Sequence, residues 1–145
     1  MTDYVTFTVA GQLFGLPLDR VQDVFTATSI TRVPLAGPEI AGVLNLRGRI
    51  VTVIDLANRL ELQSSRETMA SMVIGLDLGA ESFGVLVDSV TEVISLPDGE
   101  REANPINLDH NLGGVSAGVF RLDQVLLVVL DADRILDIRS RAAAA

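Results

Sequence analysis

Residues 42–60 read GVLNLRGRIVTVIDLANRL, and residues 118–136 read GVFRLDQVLLVVLDADRIL. Laid side by side, Gly42 meets Gly118, Val43 meets Val119, Asp55 meets Asp131 and Leu60 meets Leu136. Each block has two apolar runs of strand-forming residues around a short polar break. Each then reaches an aspartate at the start of a short helical pattern, where a carboxylate can cap the free amides of a first turn. An earlier pair keeps the same order. Residues 14–24, FGLPLDRVQDV, line up with residues 83–93, FGVLVDSVTEV, repeating Phe, Gly, Asp and both Val, with Asp23 opposite Glu92. Two blocks recurring in one order imply a duplicated unit of about five strands and a capping helix. One copy is too small for a generous core, so the copies are expected to pack together with a groove where they meet.

The rest of the chain is also strand-rich. Val5, Phe7 and Val9 alternate with Thr6 and Thr8, the two-residue period of a half-buried strand, and Leu13 to Leu16 reads as its return. Further strands are expected at 30–33, 42–46, 49–54, 71–78, 81–87, 92–96, 115–122 and 124–130. Short helices are expected after Asp55 through Leu60 and after Asp131 through Ile138, with a single turn near Leu18 to Gln22. Residues 97–111, PDGEREANPINLDHN, lack periodicity and read as a surface loop. Many short strands with tight turns give a mainly β fold of small barrels or a sandwich.

The 145 residues fit one domain, or two very small units sharing a core, and 48% are hydrophobic. With no cysteine, disulfides, thiolate catalysis and cysteine zinc sites are excluded. All 11 basic residues are arginine and the net charge is -8. An acidic chain repels phosphate backbones, and five Phe, one Tyr and no Trp leave little for base stacking, so nucleic-acid binding is not expected. The longest apolar run, VLLVVL at 125–130, is far below the roughly 20 residues of a membrane-spanning helix. A soluble cytoplasmic protein without direct membrane insertion is expected.

The break inside the first block separates two readings. Arg47-Gly48 stands where the second copy has Asp123-Gln124. The shared fold therefore does not require a positive charge at Arg47. A charge on a rigid strand-to-strand turn suits a displayed contact, although Arg47 and Arg49 are equally compatible with ordinary solvated turn residues.

Residues 30–56, ITRVPLAGPEIAGVLNLRGRIVTVIDL, resemble the core signature of the CheW family, bacterial adaptors that couple chemoreceptors to the histidine kinase CheA. The matching elements are Ile30, Arg32, Pro34, Pro38, Ile40, Gly42, Val43, Asn45-Leu46-Arg47-Gly48, Ile50 and Val53-Ile54-Asp55-Leu56, joined by FGLPLDRVQDV upstream and FGVLVDSVTEVISL downstream. The resemblance spans about residues 4 to 138. It implies two packed five-stranded SH3-like β-barrels with short helices, a single CheW-like domain of two intertwined subdomains at roughly 14–60 and 71–138, with the termini packing across them. It implies no catalysis and no cofactor. The implied partners are the regulatory domain of a CheA-type kinase, itself CheW-like, and the cytoplasmic hairpin tip of a chemoreceptor. Rings with kinase or other CheW-like domains would link receptors into arrays at the inner face of the membrane. The same architecture also serves arrays outside chemotaxis that control motility or development. No fused receiver or kinase segment is recognised, so a stand-alone adaptor is expected.

Carried over residue by residue, the receptor-facing groove would use Val21, Asp23, Val24 and Arg47, with Met72 and Val73 from the second copy. Gly42, Asn45 and Gly48 would shape the loop. A docked helical hairpin wants apolar anchors and a few polar pins, and an arginine fork suits carboxylates or helix-end carbonyls. Thr52 departs from the family, which usually has proline there. Because a strand proline blunts an edge, Thr52 would leave that edge freer to pair and alter the kinase interface in this region. Arg49 adds a second charge beside Arg47.

One motif argues for an enzyme. Gly114-Val115-Ser116-Ala117-Gly118 matches G-x-S-x-G, a nucleophile elbow that needs a helix after it and a histidine later in the chain. Here a strand pattern follows and the one histidine, His110, precedes the serine, so the run reads as a loop or bulge. His110 alone, without spaced partners, does not make a metal site, and Asp131, Asp133 and Asp137 read as a cap and a solvated face.

Overall fold

A computed structural model describes residues 1–26, 30–33, 37, 39–46, 48–62, 72–106, 108 and 110–137. Arg47, Pro34, Pro38, the expected strand start at Ser71 and the expected helix end at Ile138 lie outside the described residues. Ten strands occur: β1 Thr2–Val9, β2 Gln12–Pro17, β3 Val21–Thr26, β4 Ile40–Leu46, β5 Arg49–Asp55, β6 Met72–Leu78, β7 Glu81–Val87, β8 Ser89–Leu96, β9 Ser116–Leu122 and β10 Val125–Leu130. The helices are short: α1 Leu56–Arg59, α2 His110–Gly113 and α3 Ala132–Leu136, with 3-10 turns at Leu18–Arg20 and Asp98–Glu100.

The strands form two five-stranded sheets. The terminal sheet has the order β8-β1-β2-β10-β9, and the central sheet the order β3-β6-β7-β5-β4. Replacing each first-copy strand by its second-copy equivalent turns one order into the other, so the duplication seen in the sequence is a structural pseudo-symmetry. The sheets nevertheless cut across the repeat. The hairpin β1–β2 leaves its own copy and joins β8, β9 and β10, while β6–β7 joins β3, β4 and β5. The central sheet draws its strands from residues 21–87 and the terminal sheet from 2–17 and 89–130. Each swapped hairpin is held on one side by a parallel ladder, β2 to β10 and β7 to β5, and on the other by an antiparallel one, β1 to β8 and β6 to β3. Both sheets are open in their hydrogen bonding, each with two edge strands.

Exchange has a packing reason. Phe7, Phe14 and Leu16 of the terminal sheet and Ile54, Ile74, Leu76 and Val85 of the central sheet enter one core with Leu56, Leu60, Ile135 and Leu136 of the helices. The opposite faces line smaller cores: Tyr4, Phe120, Leu127 and Val129 in one sheet, and Leu44, Val51, Val53 and Val73 in the other. Alternate side chains of one strand thus serve two cores. This explains why β10 is almost unbroken in apolar residues, since Leu127 and Val129 face one core and Val128 and Leu130 the other.

The caps behave alike in both copies. The Asp55 carboxylate accepts from the Asn58 amide at 3.3 Å, and Asp131 accepts from Asp133 and Arg134 at 3.0 and 3.2 Å. Loops differ more from expectation. Residues 30–33 are not a strand; Thr31 makes an isolated bridge to Val43, as Glu102 does to Val119. The stretch 97–111 contains the Asp98–Glu100 turn, that bridge and the start of α2.

Candidate functional site

The candidate groove residues gather on β3, an edge strand of the central sheet. Val21 opposes Leu76, Asp23 opposes Gly75, Val24 opposes Ile74 and Thr26 opposes Met72, with the register shifting between Val21 and Asp23. Without that bulge, Val21 and Val24 would point to opposite faces. With it, Val21, Val24 and Thr26 share a face with Leu76, Ile74 and Met72. Ile74 and Leu76 belong to the core shared by the two sheets, and Val21 and Met72 pack half-buried at its margin. Val24 stays 42% exposed. Val21, Val24 and Met72 therefore form an apolar strip along the seam where the sheets meet.

Asp23 and Val73 do not join this strip. Asp23 is exposed but paired with Gly75 on the other face of the sheet. Val73 is 0% exposed and packs with Leu44, Val51 and Val53, so the expectation that it lines the groove gives way to an inner-core role. The reason is alternation: adjacent residues on β6 cannot both face the seam.

The β4–β5 hairpin carries the loop residues. Leu46 pairs with Arg49 around a two-residue turn, and the Gly48 amide donates to Asn45 Oδ1 at 2.9 Å. Gly48 has φ +82°, which glycine adopts without strain. Gly42 lies at the other end of β4, beside the Thr31–Val43 bridge. Arg49 is held at one end of its fork: its Nη2 donates to Ser82 Oγ.

Thr52 corrects a second expectation. Strand β5 lies between β7 and β4, and Thr52 opposes both Phe83 and Val43, so it is not on an edge. It is the position at which the parallel ladder to β7 begins. Ile50, two residues away on the same face, is 64% exposed.

Sequence reasoning missed a cleft of about 500 Å3 next to this face. Ile40, Thr52, Phe83 and Leu136 line it, with Glu81 and Asp133 among its polar groups. It lies between the central sheet and α3, from the second copy, which contributes Asp133 and Leu136. The Arg20 guanidinium spans the junction, 2.8 Å from Asp133 Oδ1, and that hydrogen bond raises the Arg20 pKa above its ordinary value. An alternation of Ile50, Thr52 and Ile54 was the available signal, but the helix packed beside it belongs to the other repeat.

Ser116 lies at the start of β9, buried, and donates to Asn104 Oδ1 at 2.7 Å. The register of β9 against β10 shifts beside it, a β-bulge, and strand rather than helix follows. That geometry is not a nucleophile elbow.

Two SH3-like sheets that exchange hairpins, each with a capped helix after its β4–β5-type hairpin, define a duplicated β module. The chain matches the CheW-like domain family over residues 3–140 and belongs to that family. It is 30% identical to the chemotaxis protein CheW of Thermotoga maritima over 93% of this chain and 87% of that one. It is 29% identical to the chemotaxis protein CheW of Bacillus subtilis over 97% of this chain and 90% of that one. Among solved structures, the scaffolding protein TtCheW from Thermoanaerobacter tengcongensis superposes with a TM-score of 0.80 at 29% identity, covering 89% of this chain and 83% of that one. Protein PilI of Pseudomonas aeruginosa, 29% identical over 86% of this chain and 70% of that one, lies outside the relatives named for chemotaxis. Among the described residues no helix is long and apolar enough to cross a membrane.

Proposed function

We propose that this chain is a non-catalytic adaptor that couples chemoreceptors to a CheA-type histidine kinase, acting in the cytoplasm at receptor arrays. The observation carrying the reading is the seam strip of half-buried Val21 and Met72 and exposed Val24 on a chain matched to the family along nearly its whole length. A helical receptor tip would lay apolar residues on that strip. Arg47, on the neighbouring hairpin turn in sequence, would supply a polar pin. The kinase's regulatory domain would meet the face carrying Ile50 and Thr52, where apolar surface is exposed beside the cleft.

The test is calorimetric titration against the regulatory domain of a CheA-type kinase and against a receptor hairpin fragment from the same cell. Saturable binding to both supports the reading; binding to neither, with folded partners, defeats it. Arg47→Glu is expected to weaken receptor binding by about 10- to 100-fold, the range of one charge-assisted contact. The circular dichroism spectrum should not change, because the second copy carries Asp123 at this position. Loss of folding would make Arg47 structural. Similarity to PilI keeps a second reading, an adaptor of a non-chemotaxis array; binding only to the kinase and receptors of such a system would select it.

A further inference from the structure

From the contacts that hold the β4–β5 hairpin, we infer that Arg49 is a positioning residue: through Ser82 and Asp77 it fixes the hairpin's tip against the neighbouring β6–β7 hairpin. The inference rests on the proposed receptor reading, in which that tip presents a polar pin.

The parallel ladder between β5 and β7 runs from Thr52–Phe83 to Asp55–Leu86. Residues 49–51 project beyond it, so the tip overhangs its support. Arg49 Nη2 donates to Ser82 Oγ across this gap. Ser82 Oγ in turn donates to Asp77 Oδ1 at 3.2 Å, and Asp77 and Ser82 face each other across the β6–β7 hairpin. The relay therefore ends on a carboxylate fixed in the central sheet. Within the tip, the bond from the Gly48 amide to Asn45 Oδ1 closes the turn. One bond sets the shape of the turn, and the other sets where it points.

The second copy holds its hairpin by different means. Val125 stands at the position of Arg49, and Leu13 at that of Ser82. There the parallel ladder reaches one residue further, to Leu127–Leu13, and Gln12 Nε2 donates to the Leu126 carbonyl at 2.8 Å. Both hairpins are tied to the swapped strand beside them, by different side chains. Only the first copy makes the tie with an arginine, on the tip that carries residue 47. An arginine whose fork is held by a hydroxyl is less free to swing towards a partner than its exposure suggests.

Ser82→Ala is the direct test. It should leave the urea midpoint unchanged, speed amide hydrogen exchange at Gly48 several-fold, and weaken binding of a chemoreceptor hairpin fragment about 3- to 10-fold. Ser82→Thr, which keeps the hydroxyl, should restore both. In an Arg47→Glu background, Ser82→Ala should cost nothing further, because a positioning residue acts only through what it positions. Unchanged exchange and affinity in Ser82→Ala would overturn the inference. An Arg49→Gln loss that adds fully to Arg47→Glu would also overturn it, by making Arg49 a direct contact. Should Arg47→Glu itself leave receptor binding intact, the reading of Arg47 as the pin falls, while Gly48 exchange still decides whether the tie exists.

Discussion

Replacing Gly42 by alanine is expected to cost about 3 to 4 kcal/mol, a large part of the margin of a domain of this size. The expectation comes from a crossing of two chain segments. Thr31 and Val43 exchange backbone hydrogen bonds of 2.7 and 2.8 Å, which lays the incoming segment directly over Gly42. A Cβ there would run into the Thr31 carbonyl oxygen and would lie 2.7 Å from Ile30 Cγ2. The oxygen belongs to a hydrogen-bonded backbone and cannot swing away. Gly42 also holds φ +151°, where a side chain is strained. Backbone strain of about 1–3 kcal/mol and overpacking of about 1–3 kcal/mol then act together. The second copy provides the control. Glu102 and Val119 make the same bridge over Gly118, at φ +136°, but the added Cβ would be 2.9 Å from the Glu102 oxygen, with Arg101 side-chain atoms as its next neighbours. An exposed arginine stem can move, so Gly118→Ala should cost less, about 2 kcal/mol on the same grounds. Urea denaturation of both variants measures this. A Gly42→Ala protein within about 1 kcal/mol of the parent, the error of the strain estimate, would show that the bridge is not held in solution.

Those two glycines illustrate what the sequence made legible. They were visible as a matched pair, and so were Asp55 and Asp131, because a cap or a tight crossing is enforced locally and survives duplication. Most strands with apolar alternation are legible to within a residue or two, although β8 begins at Ser89, three residues before the expected 92. Strand β3 was not, because both its edge position and its bulge leave Val21–Thr26 mostly exposed, with no two-residue period to detect. The exchange of hairpins was also hidden. Pairing β2 with β10 and β7 with β5 is decided by which faces must reach the shared core, and neither strand records its neighbour in its own pattern. The same cause explains the errors at the candidate site. The family resemblance brings Val73 and Met72 into one groove, whereas alternation sends the two to different cores. Thr52 was placed on an edge that the swapped β7 covers.

Arg59→Ala is expected to cost about 3 kcal/mol, and it tests how the two repeats are locked. Arg59 ends α1 of the first copy and is only 8% exposed. Its Nε donates to the Ile135 carbonyl at 3.0 Å and its Nη2 to the Arg134 carbonyl at 2.8 Å. Those carbonyls close α3 of the second copy, where the last turn of a helix has acceptors without intrahelical donors. One arginine thus caps the helix of the other repeat, and the cation also suits that end of the helix. The arrangement is not reciprocal: Ile135 itself occupies the position equivalent to Arg59. Alanine would strip a donor from the buried Ile135 carbonyl, at about 1–3 kcal/mol, would leave the Arg134 carbonyl to the 3.3 Å bond from the Asp137 amide, and would also remove the packing of the arginine stem. Arg59→Met separates the two, since it restores apolar volume without donors. If Met recovers full stability, the stem matters and the capping does not; if it stays near alanine, the carbonyls dominate, as the distances indicate. Hydrogen exchange in α3 should rise in both variants before the sheets open, because α3 is a single short helix whose end is held by this contact while Ile135 and Leu136 anchor it in the core. The seam strip of Val21, Val24 and Met72 depends on the same registration of one sheet against the other. A loosened α3 is therefore expected to weaken binding of a receptor hairpin fragment even though Arg59 is buried away from any partner. Undiminished binding with rapid α3 exchange would uncouple the lock from the strip.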